Sequence, residues 1–222
     1  MTLETGGWEH VSALFGRPEI DRLSSLLPDP QDPSPGHRLT DTPALDWWLR
    51  SSSLNSLVSE RLGRPARPVR AILFDKTKSL NWVLAWHQDR TIAVAERHDV
   101  PGYGPWSIKA GTIHVEPPFA LIERMVTARI HLDPVDRDNG PLLVAEGSHR
   151  LGKIAEADIE RVVSASAVQE CHAGQGDAWL YATAILHSSG PNRSGRRRRV
   201  LHVDFSGDEL PNPLRWRGIG QA

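Results

Sequence analysis

The sequence predicts a mainly β protein with flanking helices, a sandwich or barrel, and three observations carry that expectation. Its hydrophobic period is helical up to about Pro65 and changes to two beyond it. Eight short candidate strands then follow, separated by turns containing Gly, Pro, Asn or Asp. Finally, 222 residues of which 39% are hydrophobic can bury a core, on the order of 70–75% of the unfolded surface, without disulfides or structural metal.

The lead-in comes first. From Pro18 to Leu27, residues Ile20, Leu23, Leu26 and Leu27 share one helical face, and Pro18 and Glu19 suit a first turn. The stretch PDPQDPSPGHR has four prolines in eleven residues and reads as an ordered but irregular loop. A second helical pattern runs from Pro43 to about Arg61 through Leu45, Trp48, Leu49, Leu54, Leu57 and Val58, and Gly63 and Pro65 stop it. The candidate strands are VRAILFDK, NWVLAW, TIAVAE, RMVTARIHLD, PLLVAE, RVVSASAV, DAWLYATAIL and RVLHVDF. Together these predict one domain over 1–222, with a helical lead-in over 1–65, a β core over 66–206 and a tail over 207–222.

The strand from Met125 to Leu132 tells most about the interior. Met125, Thr127, Arg129 and His131 point one way, and Val126, Ala128, Ile130 and Leu132 the other. The polar face either meets solvent or lines a wet cavity inside an open barrel.

Composition excludes several classes. A net charge of −1 gives no general attraction to nucleic acid or anionic lipid, and no apolar run approaches the ~18 residues of a membrane span. The single cysteine, Cys171, cannot form an internal bridge, and the N-terminal residues lack the regions of a signal peptide, so a cytoplasmic setting is expected. The run Arg196 to Arg199 opens a strand, where alternate side chains face opposite sides, so Arg198 is read as inward and Arg196 and Arg197 as solvated. Asp133, Asp136 and Asp138 lack the spacing of a calcium loop and read as a surface turn.

Ten histidines and eight tryptophans are generous for this length. His10, His37 and His98 lie in polar or irregular sequence and are expected exposed, and His149 belongs to a turn. His131 shares the inward face with Arg129, whereas His114, His172 and His202 read as satisfied, half-buried imidazoles. The informative histidines are two others. In Trp86-His87-Gln88-Asp89, His87 and Asp89 stand two apart, so in an extended chain both leave the same face and can offer a nitrogen and an oxygen to one ion. His187 closes another candidate strand, and Arg198 lies eleven residues downstream. Two histidines and one carboxylate hold one face of a metal and leave the opposite positions open, which suits a bidentate 2-oxo acid and dioxygen. A remote arginine can clamp the far carboxylate of that acid.

On these residues the chain resembles the phytanoyl-CoA dioxygenase (PhyH) family of Fe(II)/2-oxoglutarate-dependent oxygenases. The resemblance covers roughly residues 68 to 206: an extended segment ending in WHQD, then DPVDRDNGPLLVAEGSH, then HSSGPNRSGRRRR. It implies a double-stranded β-helix, that is, a jelly-roll, cupin-like barrel. It also implies His87, Asp89 and His187 as iron ligands, Arg198 as the 2-oxoglutarate clamp, Ser189 as a further hydroxyl on the same carboxylate, and Asn81 facing the cosubstrate. The implied reaction is hydroxylation or desaturation of a small to medium organic substrate, with O2 consumed and succinate and CO2 formed. A carboxylate at Asp89 disfavours halogenation, for which related enzymes carry a small residue there.

Two departures from the family pattern are visible. Glu146-Gly147-Ser148-His149 replaces the usual Pro-Gly-Ser-His type of turn. Arg129 stands where several relatives carry an aromatic residue, and a second inward guanidinium favours an anionic group on the cosubstrate or the substrate. Tyr103, Trp106 and Phe119 are expected as apolar walls of the pocket, and Lys109 with Arg129 as receivers of an anion. Two rival readings are a cupin-like metal-dependent oxygenase or isomerase without 2-oxoglutarate, and a non-catalytic ligand-binding jelly roll. Arg198 argues against the first, and the complete ligand triad against the second.

Overall fold

A computed structural model describes residues 2–29 and 36–220. The larger sheet has six strands in the order β1 (Trp8–Val11), β11 (Ala178–Ala182), β8 (Val126–His131), β13 (Arg198–Ser206), β3 (Arg67–Lys76) and β2 (His37–Arg38). The second sheet orders β10 (Val168–Cys171), β9 (Leu142–Ala145), β12 (His187–Ser189) and β4 (Leu84–His87). A third, smaller one orders β5 (Ile92–Ala93), β7 (Thr112–Val115) and β6 (Trp106–Lys109). Every pairing is antiparallel, and the architecture is a jelly-roll barrel with helices outside it.

The period-two pattern explains how the larger sheet is used on both sides. Val126, Ala128, Ile130 and Leu132 from β8 and its extension, Leu201, Val203 and Phe205 from β13, and Ala71 and Leu73 from β3 all bury in one cluster. Against them pack α1 (Arg17–Ser25), α2 (Pro43–Ser51) and α3 (Ser53–Leu62), through Ile20, Leu23, Leu45, Leu49, Leu54 and Val58. Each such side chain contributes on the order of 1.5–3 kcal/mol relative to exposure. The alternate residues, Thr127, Arg129 and His131, are buried as well. Of the three, Arg129 lines a cavity, whereas Thr127 is bonded to Thr183 and Asp204 and His131 is enclosed with both ring nitrogens unpartnered.

Several expectations for individual elements change. The lead-in is not all helical, because β1 and β2 add edges to the larger sheet; strands of four and two residues carry too little sequence to show a period. The Pro43–Arg61 pattern splits at Ser52, whose ψ of 159° is extended and whose hydroxyl accepts from Asn55 N at 3.4 Å, capping α3. RVVSASAV is not a strand: its first five residues end α5 (Ile159–Ala165), where Val162 buries against Ile154 and Leu186. Pairing with β9 begins only at Val168. Of the proline-rich segment, 30–35 lie outside the described residues. Beyond β13, Leu214, Trp216 and Ile219 are buried, and Trp216 bridges Val94.

Candidate active site

The sheets enclose a cavity of about 520 Å³ lined by Arg70, Ile72 and Phe74 of β3, by His87 and Asp89, by Arg129, His187 and His202, and at its mouth by Arg38, Trp82, Val83 and Lys109. The register of the second sheet places His87 directly opposite His187, with ring centroids 4.3 Å apart. Each imidazole is turned by its own strand: His87 Nδ1 lies 2.8 Å from Ala85 O, and His187 Nδ1 3.0 Å from Ile185 O. Bonds to backbone carbonyls fix the tautomer with Nδ1 protonated and leave each Nε2 as the free lone pair. Burial, then His87, pushes the His187 pKa down to about 3, which keeps that ring neutral as a ligand requires.

The rest of the first motif is braced from outside the cavity. Gln88 donates to Ala184 O (2.7 Å) and Gly152 O (3.0 Å) and accepts from Ile154 N (2.9 Å). That leaves Asp89 on the cavity side. The segment before His187 is braced too, since Ser148 Oγ accepts from Leu186 N at 2.9 Å and donates to Ala145 O at 2.7 Å.

Asp89 leans on Arg70, with Nη2 to Oδ2 at 3.4 Å. Burial alone would raise its pKa, but Arg70 and then the neighbouring imidazoles hold the carboxyl well below the usual range. Arg70 is anchored in turn by Asp204, at 2.5 Å, and the two aspartates hold the guanidinium charged against its burial. Asp204 Oδ1 also accepts from Thr127 Oγ1 (2.9 Å) and lies 3.0 Å from His202 Nε2. Asp89, His202 and Asp204 form a grouping whose possible ligand atoms lie within 4.8 Å of one another. In that grouping, however, His202 and Asp204 already spend their atoms on each other, on Thr127 and on the Arg70 cation. His87, Asp89 and His187 line the same cavity but, among the described residues, do not close to that spacing; Asp89 is held by Arg70, and each histidine keeps its Nε2 without a hydrogen-bond partner. By donor type, two imidazole nitrogens and one carboxylate suit a divalent transition metal.

Deeper in the barrel the electrostatics reverse. Register sets Arg198 of β13 opposite Lys76 of β3, and both are fully buried. Lys76 Nζ donates to Ser189 Oγ (3.1 Å) and Gly190 O (2.6 Å) and sits 5.0 Å from the centre of the Trp82 ring. Ser189 Oγ in turn donates to Gly140 O at 3.1 Å, and Arg198 Nη1 donates to the same carbonyl while its Nε has no partner. Among the described residues neither cation has a carboxylate within ion-pair distance. Burial, followed by Arg198 and Arg129, brings Lys76 to about 7; burial and then Arg129 bring Arg198 to about 9. Like charges facing across a strand pair are unfavourable unless an anion sits between them. Arg129, 5.2 Å over the Phe74 ring and with an unpartnered Nε, points the same way.

Of the residues expected at the site, His87, Asp89, His187 and Arg129 line one cavity; Arg198 and Ser189 do not line it, and meet it through Lys76, which lies against the Trp82 ring of its wall. Asn81 has a different job. Its side chain donates to Asn192 O and accepts from Asn192 N, both at 2.8 Å, clasping the loop before β13 rather than facing the cavity. Tyr103, Trp106 and Phe119 are not cavity walls either: they pack with Val115, Leu121 and Trp216 around the third sheet, whose hairpin needs its own core. Lys109 does reach the cavity. Arg198 is inward as expected, whereas Arg197 and Arg199 pair with Asp75 and Asp133 outside. His37 and His98 are half-buried rather than exposed, and His202 and His114 are fully buried. Sequence reasoning missed Arg70, Lys76, His202 and Asp204 as parts of the site. Their one visible signal was period two, which puts them on the inward faces of β3 and β13.

Free imidazole and carboxylate donors beside an uncompensated cation pair are what a non-haem iron enzyme with an anionic cosubstrate needs, and the jelly-roll barrel is the usual frame for that class. Comparison with known proteins agrees. The model of the phytanoyl-CoA dioxygenase (PhyH) family matches residues 35–200, and the chain belongs to that family of Fe(II)/2-oxoglutarate-dependent dioxygenases. No curated protein matches it. Similar solved structures include AviO1 from Streptomyces viridochromogenes Tue57, with 19% identity over 94% of this chain and 93% of that one and a TM-score of 0.66. EctD from S. alaskensis has 15% identity over 99% and 79% of the two chains and a TM-score of 0.69. HygX from Streptomyces hygroscopicus, solved with nickel, 2-oxoglutarate and hygromycin B bound, has 19% identity over 92% and 84% and a TM-score of 0.62.

Proposed function

We propose that His87, Asp89 and His187 hold Fe(II), that Arg198, Lys76 and Ser189 hold the far carboxylate of 2-oxoglutarate, and that the enzyme hydroxylates or desaturates an unactivated C–H bond of a small to medium organic substrate. The observation that carries this reading is the pair of opposed histidines. Their Nδ1 atoms are tied to backbone carbonyls, and their free Nε2 atoms share the cavity with an ionised Asp89. When bound, iron and 2-oxoglutarate supply with dioxygen the oxidising power, and succinate and CO2 are the co-products. The chain supplies position and exclusion. Arg70 keeps Asp89 charged and aimed, the cation pair on β3 and β13 fixes the cosubstrate end, and Phe74 and Trp82 shield the interior from bulk water. Arg129 offers an anionic substrate group a second guanidinium.

Anaerobic titration with Fe(II) and 2-oxoglutarate tests the assignment. The chelate gives a weak visible charge-transfer band, which Asp89→Ala and Arg198→Ala should each abolish. Retention of the band in either variant refutes the residue roles. Uncoupled succinate formation after iron and ascorbate reconstitution checks the reaction class.

A further inference from the structure

We infer that Arg38 and Lys109 form an oxyanion-binding subsite at the cavity mouth, so that the substrate carries a carboxylate or phosphate group with an apolar body beside it. This rests on the proposed function, which commits Asp89 and the far carboxylate of 2-oxoglutarate elsewhere.

The two cations reach one cavity from different sheets, Arg38 from β2 and Lys109 from the end of β6. Such convergence needs room. Gly36 supplies it: a Cβ there would stand 2.9 Å from the Phe74 ring and 3.0 Å from Ile72 Cγ2, so a larger residue would have to displace those β3 side chains two residues before Arg38.

Elsewhere in this chain guanidinium groups find carboxylates, as in Arg61 with Glu9, Arg64 with Asp208 and Arg199 with Asp133. Among the described residues neither Arg38 nor Lys109 has a carboxylate within 4.0 Å. Lys109 Nζ spends one donor on Thr91 Oγ1 at 3.0 Å and keeps the others. Arg38 Nε is buried with no partner at all, a state that costs free energy until a ligand acceptor arrives.

Their surroundings add to the demand. Both are half-buried, and burial followed by the nearby Arg70 works against their charge. The cavity's own carboxylates answer it only in part: Asp89 supports both charges without reversing the shift and, on the proposed function, is taken by the metal, and Asp204 is committed to Arg70, His202 and Thr127. Nor is 2-oxoglutarate the missing partner, since the buried Arg198 and Lys76 already match its far carboxylate. An oxyanion from the substrate remains. Trp82 and Val83, the latter 66% exposed, flank the same mouth and offer apolar contact to whatever the oxyanion is attached to.

The test uses the full chain loaded anaerobically with Fe(II) and 2-oxoglutarate, with phenyl phosphate and phenylacetate as probes and 2-phenylethanol as the neutral control, read by calorimetry. The charge-transfer band is recorded first, and its absence in the wild type counts against the proposed function rather than against the subsite. Both anions should bind, the alcohol at least about 10-fold more weakly, and R38Q/K109Q should lose about 10-fold or more in anion affinity with the band unchanged. Rising ionic strength should weaken anion binding in the wild type and much less in the variant. Equal anion affinity in R38Q/K109Q, equal affinity for the alcohol, or no anion binding by the wild type overturns the inference.

Discussion

An Arg70→Gln substitution removes the guanidinium that bridges Asp204, at 2.5 Å, and Asp89, at 3.4 Å. At an effective dielectric of about 20, the Asp89 contact alone is a gross attraction of about 5 kcal/mol. Desolvation of Arg70 consumes much of that, and the net loss is set by the two carboxylates left buried without a cation, typically about 3–5 kcal/mol. For a chain of this length each kcal/mol shifts Tm by roughly 2–4 °C, so a fall of about 6–20 °C is expected in the metal-free protein. Removing the second charge separates the causes. R70Q/D204N should recover more than half of the stability, whereas Fe(II) affinity should stay about 10- to 100-fold lower in both variants because Asp89 has lost the group that aims it.

The pH dependence follows in sign. In the wild type the carboxyls of Asp89 and Asp204 are held below the usual range, so their contribution is present above the unfolded value of about 4 and is lost as pH falls through the folded values. Without Arg70, burial prevails and both carboxyls move upward. The variant then gains stability as pH falls through its raised values, and the gap to the wild type is widest near neutrality and narrows toward pH ~5. Thermal melts across that range, with metal titration by calorimetry, measure both effects. An R70Q protein with unchanged Tm and metal affinity refutes the role given to Arg70.

Two further outcomes are expected from the deep end of the barrel. With Lys76 brought to about 7 by burial, Arg198 and Arg129, the unfolded chain holds a proton that the native state has released between pH ~7 and ~10. Cosubstrate-free stability should therefore rise with pH across that window, and K76M should lose the slope. Binding of 2-oxoglutarate near pH 8 should take up a proton, seen as buffer-dependent heat in calorimetry; no uptake refutes a charged Lys76 in the complex. Gly140→Ala should be destabilising by about 1–3 kcal/mol and should weaken 2-oxoglutarate binding in the charge-transfer titration. Its φ is +71°, a Cβ would lie 2.6 Å from Gly190 O, and its carbonyl accepts from both Ser189 and Arg198.

What the sequence revealed depended on whether the signal was local. His87 and Asp89 stand two apart, and β8 alternates polar and apolar residues over its whole length, so one strand sufficed to read each. Arg198 was legible because it alternates with neighbours that find acids outside. Arg70 and Asp204 gave no such sign: they meet only through a register that pairs β3 with β13 across 134 residues of chain. Lys76 is likewise ordinary until Arg198 faces it. RVVSASAV misled because its valines suit either period, and burial of Val162 against Ile154 and Leu186 decided for helix. Asn81 misled because an amide before the first motif can serve a loop as readily as a ligand.

The paired strands β3 and β13 show how one sheet carries both stability and a costly interior. Inward, their register runs from Arg198 opposite Lys76, through Val200 opposite Phe74 and His202 opposite Ile72, to Asp204 opposite Arg70. One end is an ion pair whose arginine also holds Asp89. The other sets Lys76 beside Arg198 with no carboxylate between them, a pairing that is costly when both are charged and that Lys76 relieves by giving up its proton until an anionic ligand restores it. Outward, the alternating residues Ala71, Leu73, Leu201, Val203 and Phe205 are almost wholly buried beneath the helices, each of the larger ones worth on the order of 1.5–3 kcal/mol. The same alternation thus lets the outer face offset what the inner face costs. The helices over the sheet are therefore part of how the site exists: without that apolar cover, a strand pair bearing Arg198 and Lys76 on one rung would have no reason to stay closed.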